Sequence, residues 1–493
     1  MKTSRLACVV KGSAIILLLL AGVARAAETC DPVVGTLVTV EGRVDVQRTG
    51  TGAWAPAQLD QSLCKGDLVR AGQRSRATVQ LVNQAVLRID QNTAMRLDNI
   101  AAEKEERSTL SLLQGALQSF SRKPRSFEVS TPYLNGSIEG TEFAFRVKEN
   151  ESELTVFEGT VVAANAQGSV TVTGGESATA AKGQAPQART AVNPRDAAQW
   201  SLYYPPVLAA GSTADAGLQD AAALLSVGRV EEARAGIDKV LDSDPNAGLA
   251  YALSAVIHVV QNNNDQAMAD AQQAVSLSPD SAAAKIALSY AQQAAFDIPG
   301  ARDTLQQAVA QQPDDALAWA RLAELQLMLG ERRQSRESAQ KATSLDPNLS
   351  RTQMTLGFAA LAEFRNDEAK AAFTRAIELD SADPLPHLGL GLAKISSGEL
   401  EEGRGDIEVA VGLGSSDALL RSYLGQAYFE EKRAPLDMQQ FDIAKELDPK
   451  DPTAFLYSGI ARQTENRPVE AARDIEQSIE LNDNRAAFRG RLL

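Results

Sequence analysis

The chain has 493 residues, enough for two or more cores, with 49 basic and 63 acidic residues and a net charge of −14. That acidity argues against a nucleic-acid partner, because phosphate binding needs a basic stripe. Only 5% of the residues are aromatic and there are three cysteines and two histidines, so a disulfide-dense fold or a histidine-rich metal centre is excluded.

Residues 1–26 read as a secretory signal peptide. Lys2, Arg5 and Lys11 form a basic start, Ala14 to Val23 is almost wholly apolar, and Ala24-Arg25-Ala26 offers small residues at a cleavage site. The apolar run is too short to span a membrane. Cleavage after Ala26 implies a periplasmic or secreted chain with no transmembrane anchor. Ala27-Glu28-Thr29 before Cys30 is a poor lipid-attachment box, so a soluble protein is expected rather than a lipoprotein. Without the four basic residues of the leader, 45 basic residues face 63 acidic ones, net −18, and residues 191–493 hold −16 of it. Two cysteines then remain. Cys30 and Cys64 are expected to form one disulfide in an oxidising compartment. A redox or metal pair is the weaker alternative, since there is no CxxC and His258 and His387 lie far away.

From Thr36 to about Thr179 the apolar period is two. Val38 and Val40, Val44 and Val46, Val79 and Leu81, and Phe143, Phe145 and Val147 alternate. Glu41-Gly42, Lys65-Gly66-Asp67, Gln114-Gly115, Glu158-Gly159 and Gly174-Gly175 separate the runs. This predicts an all-β domain of many hairpins over residues 30–182. Cys64-Lys65-Gly66-Asp67-Leu68-Val69-Arg70-Ala71-Gly72, then Ser75-Arg76-Ala77, then Phe127 to Pro132 and Glu139-Gly140-Thr141-Glu142-Phe143 follow in order. This order resembles the FecR domain of bacterial extracytoplasmic proteins, departing from it at Glu139, where the family has arginine. The resemblance implies an exported, β-rich interaction module. It does not imply control of a sigma factor, because no cytoplasmic segment precedes the β region. Arg122, Lys123 and Arg125 read as a solvated hairpin tip, and Gly140-Thr141 as a turn.

Residues 183–213 form a linker, yet Trp200, Tyr203, Tyr204, Pro205 and Pro206 crowd into it. The aromatics are expected to plug the β domain onto the first repeat of the C-terminal half.

Pro245, Pro279, Pro313, Pro347 and Pro449 share a spacing of 34 residues, with Ser381, Ser415 and Asp483 at the same phase. That period is one helix–turn–helix unit, and stacked units form a solenoid. Units starting at Ala214, Gly248, Ala282, Ala316, Ser350, Pro384, Ala418 and Pro452 have small eighth positions throughout, from Ala221 to Gly459. Bulky anchors such as Leu305, Phe373, Ile407 and Phe441 face them, as close helix packing requires. The pattern resembles tetratricopeptide (TPR) repeats, eight units over residues 214–485. The fold class is therefore multidomain: an all-β FecR-like domain, then an α-α superhelix.

In that family, positions two, five, nine and twelve of each first helix line the inner face. In units five and six, Met354, Phe358, Leu361, Leu388, Leu392 and Ile395 would make an apolar groove for a protein or peptide segment. Tight curvature packing these residues on each other, or a tail in the groove, is the competing reading. Residues 486–493 read as a tail or truncated cap. No G-x-S-x-G, H-E-x-x-H, P-loop or dinucleotide motif is present. No catalytic residue, metal or cofactor is expected. The expected role is a non-enzymatic exported scaffold in the bacterial cell envelope; the alternative is an extracytoplasmic sensing component of a signalling pathway.

Overall fold

The computed structural model describes residues 32–100, 108–121, 126–139, 142–191, 194–208 and 215–481. The expected signal peptide, Cys30, the basic cluster at 122–125, Gly140-Thr141 and the tail at 486–493 lie outside them.

The N-terminal part is a two-layer β module. Its first strands are β1 (Val33–Glu41), β2 (Val44–Gln47), β3 (Trp54–Pro56), β4 (Ser62–Cys64), β5 (Leu68–Ala71), β6 (Arg76–Leu81), β7 (Val86–Ile89) and β8 (Ala94–Asn99). Next come β9 (Ser108–Phe120), β10 (Ser126–Ser130), β11 (Asn135–Glu139), β12 (Glu142–Val147), β13 (Glu151–Glu158), β14 (Thr160–Asn165), β15 (Gly168–Thr173), β16 (Glu176–Ala181) and β17 (Gln187–Thr190). One layer runs β4-β1-β6-β7-β9-β12-β13-β16-β17. The other runs β3-β2-β5-β8-β9-β10-β11-β14-β15.

Strand β9 belongs to both layers, and Gly115 is where it turns from one to the other. Its φ is +86°, and a Cβ there would lie 2.3 Å from Thr93 Oγ1, so only glycine fits. The sequence reads Gln114-Gly115 as a break between strands; the structure shows a bend within one. Between the layers lies a core of aliphatic and phenylalanine side chains, including Leu37, Leu87, Leu117, Phe143, Phe145 and Val156.

Sixteen helices complete the fold among the described residues, in antiparallel pairs. They are α1 and α2 (Ala216–Ser226, Val230–Ser243), α3 and α4 (Gly248–Val260, Asn264–Leu277), α5 and α6 (Ala282–Ala294, Ile298–Gln311), and α7 and α8 (Ala316–Met328, Arg332–Leu345). The second half has α9 and α10 (Ser350–Leu361, Asn366–Leu379), α11 and α12 (Pro384–Ser396, Leu400–Leu413), α13 and α14 (Ala418–Glu430, Leu436–Leu447), and α15 and α16 (Pro452–Thr464, Pro468–Leu481). Asp215, Ser281, Asp315, Asp383, Asp417 and Asp451 cap first helices by accepting backbone N–H bonds. The small eighth positions do the work their spacing implies. A Cβ on Gly357 would meet Phe373 at 2.7 Å, and one on Gly425 would meet Phe441 at 2.5 Å.

Candidate functional site: the seam between module and solenoid

The outer face of the β1-β6-β7-β9-β12 layer carries Glu41, Arg76, Thr78, Val86, Arg88, Gln118, Phe120 and Glu142 along registered strands. Period two would give this face to water. Instead it is buried, and Arg76, Arg88, Gln118 and Glu142 are each 5% exposed or less. The solenoid and the connector between the two halves cover it.

Arg76, Arg88 and Glu142 find partners beyond the module, as burial requires, while Glu41 pairs with Arg76 on the face itself. Arg421 on α13 donates to Glu142 at 2.6 Å and to the Ser415 carbonyl at 3.0 Å, with its guanidinium 5.0 Å from the Phe120 ring centre. Arg229, at the start of α2, pairs with Asp90. Arg76 pairs with Glu41 and donates to the carbonyls of Trp200 (3.0 Å), Leu202 (2.9 Å) and Ser226 (3.1 Å). Arg88 donates to the carbonyls of Ser201 and of Leu413 at the end of α12. Burial, with Arg76 beside it, pulls the Arg88 pKa down to about 9, and burial raises those of Glu41 and Asp90.

Apolar contact joins the same seam. Val86 and Phe120 pack into one cluster with Met354, Leu388, Leu420 and Leu424 of the solenoid. Gly412 lets β7 approach α12, since a Cβ there would stand 2.6 Å from a Val86 methyl. Two irregularities in the 34-residue phase fall here as well. Ser381 Oγ accepts from Val40 N at 3.4 Å, and Ser415 Oγ accepts from Gln118 Nε2 at 3.2 Å. Where five of the other units place proline, these two place hydroxyls on the module. The sequence shows the anomaly but not its cause.

The connector is tied at both ends. A 3-10 segment, Pro194–Ser201, leads into Tyr203 and Tyr204. Trp200, Tyr204 and Val207 are buried, the Tyr203 hydroxyl donates to Asp380 at 3.0 Å, and Gln261 Nε2 donates to Gln199 at 3.1 Å. The connector thus reaches the second unit and the loop between α10 and α11, and Tyr204 and Val207 share a core with α1 of the first repeat. Beside Tyr203 lies a buried charged cluster in which Arg351 stands 3.4 Å from Glu324 and 3.7 Å from Asp383. His387, buried, contacts the Ser381 carbonyl at 3.1 Å, and burial lowers its pKa to about 4.

The six expected groove residues lie in the same cluster as Val86 and Phe120. Met354, Leu361, Leu388 and Leu392 are buried; Phe358 and Ile395 are half-buried, with Phe358 edge-on to Phe373 at 4.8 Å. In this conformation they are packing residues. Cys64 ends β4, beside the Asp67 carboxylate that accepts its backbone N–H at 2.8 Å.

Asp383 gives a pH test. Burial raises its pKa from 3.8 to about 6, with the Arg351 guanidinium opposing the rise. The unfolded carboxyl stays ionised down to its ordinary value, so the folded chain binds more protons between pH 6 and 4. Stability from this group therefore grows as pH falls through 6, by about 3 kcal/mol at most. Urea midpoints measured at pH 7.5 and pH 5 should differ more in the wild type than in Asp383→Asn. Equal differences would overturn the assignment.

A cavity of about 100 Å³ opens where module, connector and solenoid meet, lined by Gln118, Glu142, Phe157, Leu202, Gln261 and Ser415. Among the described residues, no three His, Cys, Asp or Glu side chains are placed to hold a metal ion. None of the described helices is long and apolar enough to cross a membrane.

A β module clasped by a helical solenoid through buried charges is a two-part chain, and its domains are of the kinds that serve protein interaction or signalling. The chain carries a FecR domain followed by tetratricopeptide repeats. Residues 67–162 match the FecR protein family, 218–282, 286–350 and 388–452 match one tetratricopeptide repeat model, and 350–383 match another. No curated protein matches the chain. Among solved structures, the APC/C hetero-tetramer Cut9-Hcn1 is 18% identical over 57% of this chain and 55% of that one, TM-score 0.46. The chain thus spans about half the length of that relative. A thermophilic TPR protein of Thermus thermophilus is 22% identical over 36% of this chain and 96% of its own, TM-score 0.33. A Parabacteroides distasonis protein assigned as an anti-sigma factor is 14% identical over 28% of this chain and 67% of its own, TM-score 0.25. Likenesses of this size carry nothing about function.

Proposed function

We propose that the chain is a non-enzymatic scaffold of the bacterial cell envelope, exported to the periplasm or beyond, that binds protein segments. In this reading the FecR module is the solenoid's resident occupant. The observation that carries it is the buried charged face of the module, whose ions pair with the solenoid and whose apolar residues share a core with the expected groove. Buried charges held in structural pairs favour a fixed assembly over a reactive cleft. A partner segment would take the groove at Phe358 and Ile395, its half-buried members, once the module edge gives way. Pull-downs from envelope extract with the wild type and with Arg421→Ala, which loosens the seam, test this. Proteins retained more strongly by the loosened form support the groove as a competed site. Equal retention moves the partner to the outer surface, and no retained protein in either form sinks the scaffold reading.

The sensing alternative has one observation in its favour, the polar cavity at the three-way junction. A small molecule seated there would raise the melting temperature of the full chain.

Export also fixes the expected fate of the cysteines. Non-reducing peptide mapping of the secreted chain should recover the Cys30 and Cys64 peptides cross-linked. Loss of that bond should cost about 3 kcal/mol. Two free thiols would overturn the pairing.

A further inference from the structure

The two layers of the module end in four edge strands, and three of them are guarded. Strand β3 is three residues long and ends in Pro56, with the Arg70 guanidinium 4.1 Å from the Trp54 ring centre. Strand β4 has three residues, and Lys65 comes directly after it. Strand β17 has four, and its Arg189 is held by Glu153 at 2.8 Å and by Ser177. Short length, proline and edge charges are how sheets avoid pairing with another chain.

Strand β15 carries one such device, at its end only: the Glu176 carboxylate accepts from Thr173 N and Oγ1, each at 2.8 Å, and has to swing aside for a partner strand to pair along the full length. Strand β15 itself runs six residues, Gly168-Ser169-Val170-Thr171-Val172-Thr173, without charge or proline, and pairs with β14 in unbroken register. Among the described residues, no hydrogen bond reaches residues 169–172 from the side away from β14. Ser169, Thr171 and Thr173 are exposed. On β14, directly opposite Thr171, Val162 is 44% exposed.

The strand is also close to its own reverse. About Thr171 the order is Val on either side, then Ser169 and Thr173. An antiparallel partner of the same sequence would set Val170 against Val172, Ser169 against Thr173 and Thr171 against itself. These are like-with-like pairs of β-branched and hydroxyl side chains, which favour antiparallel pairing. A two-fold axis demands such self-complementarity.

We propose that β15 pairs antiparallel with β15 of a second copy about a two-fold axis through Thr171. The β14-β15 layer then continues from one module into the next. Val162 and Thr171 meet Thr171 of the partner subunit and Val162 of the partner subunit in one row. Five residues a side bury much less than a standard interface, so the dimer is weak and concentration-dependent. The pairing does not rest on the envelope or groove readings above.

Sedimentation velocity of the full chain, between about 1 μM and 1 mM, covers the range a weak interface occupies. A reversible monomer–dimer equilibrium is expected. Thr171→Lys and Thr171→Glu change an exposed side chain and should leave the melting temperature unchanged. Each places like charges opposite each other at the two-fold axis, so each should raise the dimer Kd about fivefold or more. An equimolar mixture of the two variants should restore the dimer. A wild type that stays monomeric throughout, a dimer untouched by Thr171→Lys, or a mixture that stays monomeric would each overturn the proposal.

Discussion

Arg421→Ala should lower the stability of the chain by about 3–5 kcal/mol, the usual cost of removing one member of a buried pair. Arg421 is 1% exposed and holds Glu142, the Ser415 carbonyl and, at 3.3 Å, the Gln440 side chain. Without it, the Glu142 carboxylate keeps Gln118 as a neighbour but loses its counter-charge inside the seam. Urea denaturation monitored by tryptophan fluorescence can read the change, because Trp200 lies in the connector at the same seam. The transition should also separate into two, as the module and the solenoid lose their common interface. A double change, Glu142→Gln with Arg421→Met, removes both charges together and should cost much less than Arg421→Ala. If Arg421→Ala falls within 1 kcal/mol of wild type, the pair does not hold the two halves together.

The repeats were legible because every unit restates the same instruction. A small residue at position eight recurs eight times, with a bulky one facing it in six of the units, and the structure sets Gly357 against Phe373 and Gly425 against Phe441 accordingly. The β character of residues 33–181 was legible from period two for the same reason, as a local rule repeated. What the local rules misplace is the second face of the sheet. Arg76, Arg88 and Glu142 sit at positions that alternation assigns to solvent, and their burial depends on partners up to 325 residues away. No window of sequence contains both halves of such a contact. The apolar stripe in units five and six shows the converse limit. Met354 and Leu392 look alike whether they line an open groove or pack inside one, and here they pack. The nearest thing to a signal for the seam was the loss of proline at Ser381 and Ser415. A serine in a proline phase is a small departure, yet both hydroxyls touch the module. Two glycines of α12, Gly405 beside Gln80 and Gly412 against Val86, are a second such mark.

Gly412 permits the sharpest test of the docking itself. It lies one residue before the end of α12, a position where alanine or leucine would favour the helix by about 1 kcal/mol over glycine. On propensity alone, Gly412→Leu should therefore stabilise the solenoid. The structure predicts the opposite. The first added carbon already stands 2.6 Å from Val86 Cγ1 and 3.0 Å from its Cβ, and that side chain is locked on a strand buried on both faces. The leucine must push β7 off α12 or bend the helix end, and overpacking of this kind costs about 1–3 kcal/mol, more where the backbone cannot shift. Displacement at that point also drags the Arg88 bond to the Leu413 carbonyl, the next residue along. Val86→Ala should by itself cost the contacts of two methyl groups. In the Gly412→Leu background it should recover stability instead, because it vacates the space the leucine needs. A positive coupling in that double-mutant cycle places α12 against β7 in solution. Additive losses would mean that the solenoid and the module do not meet there.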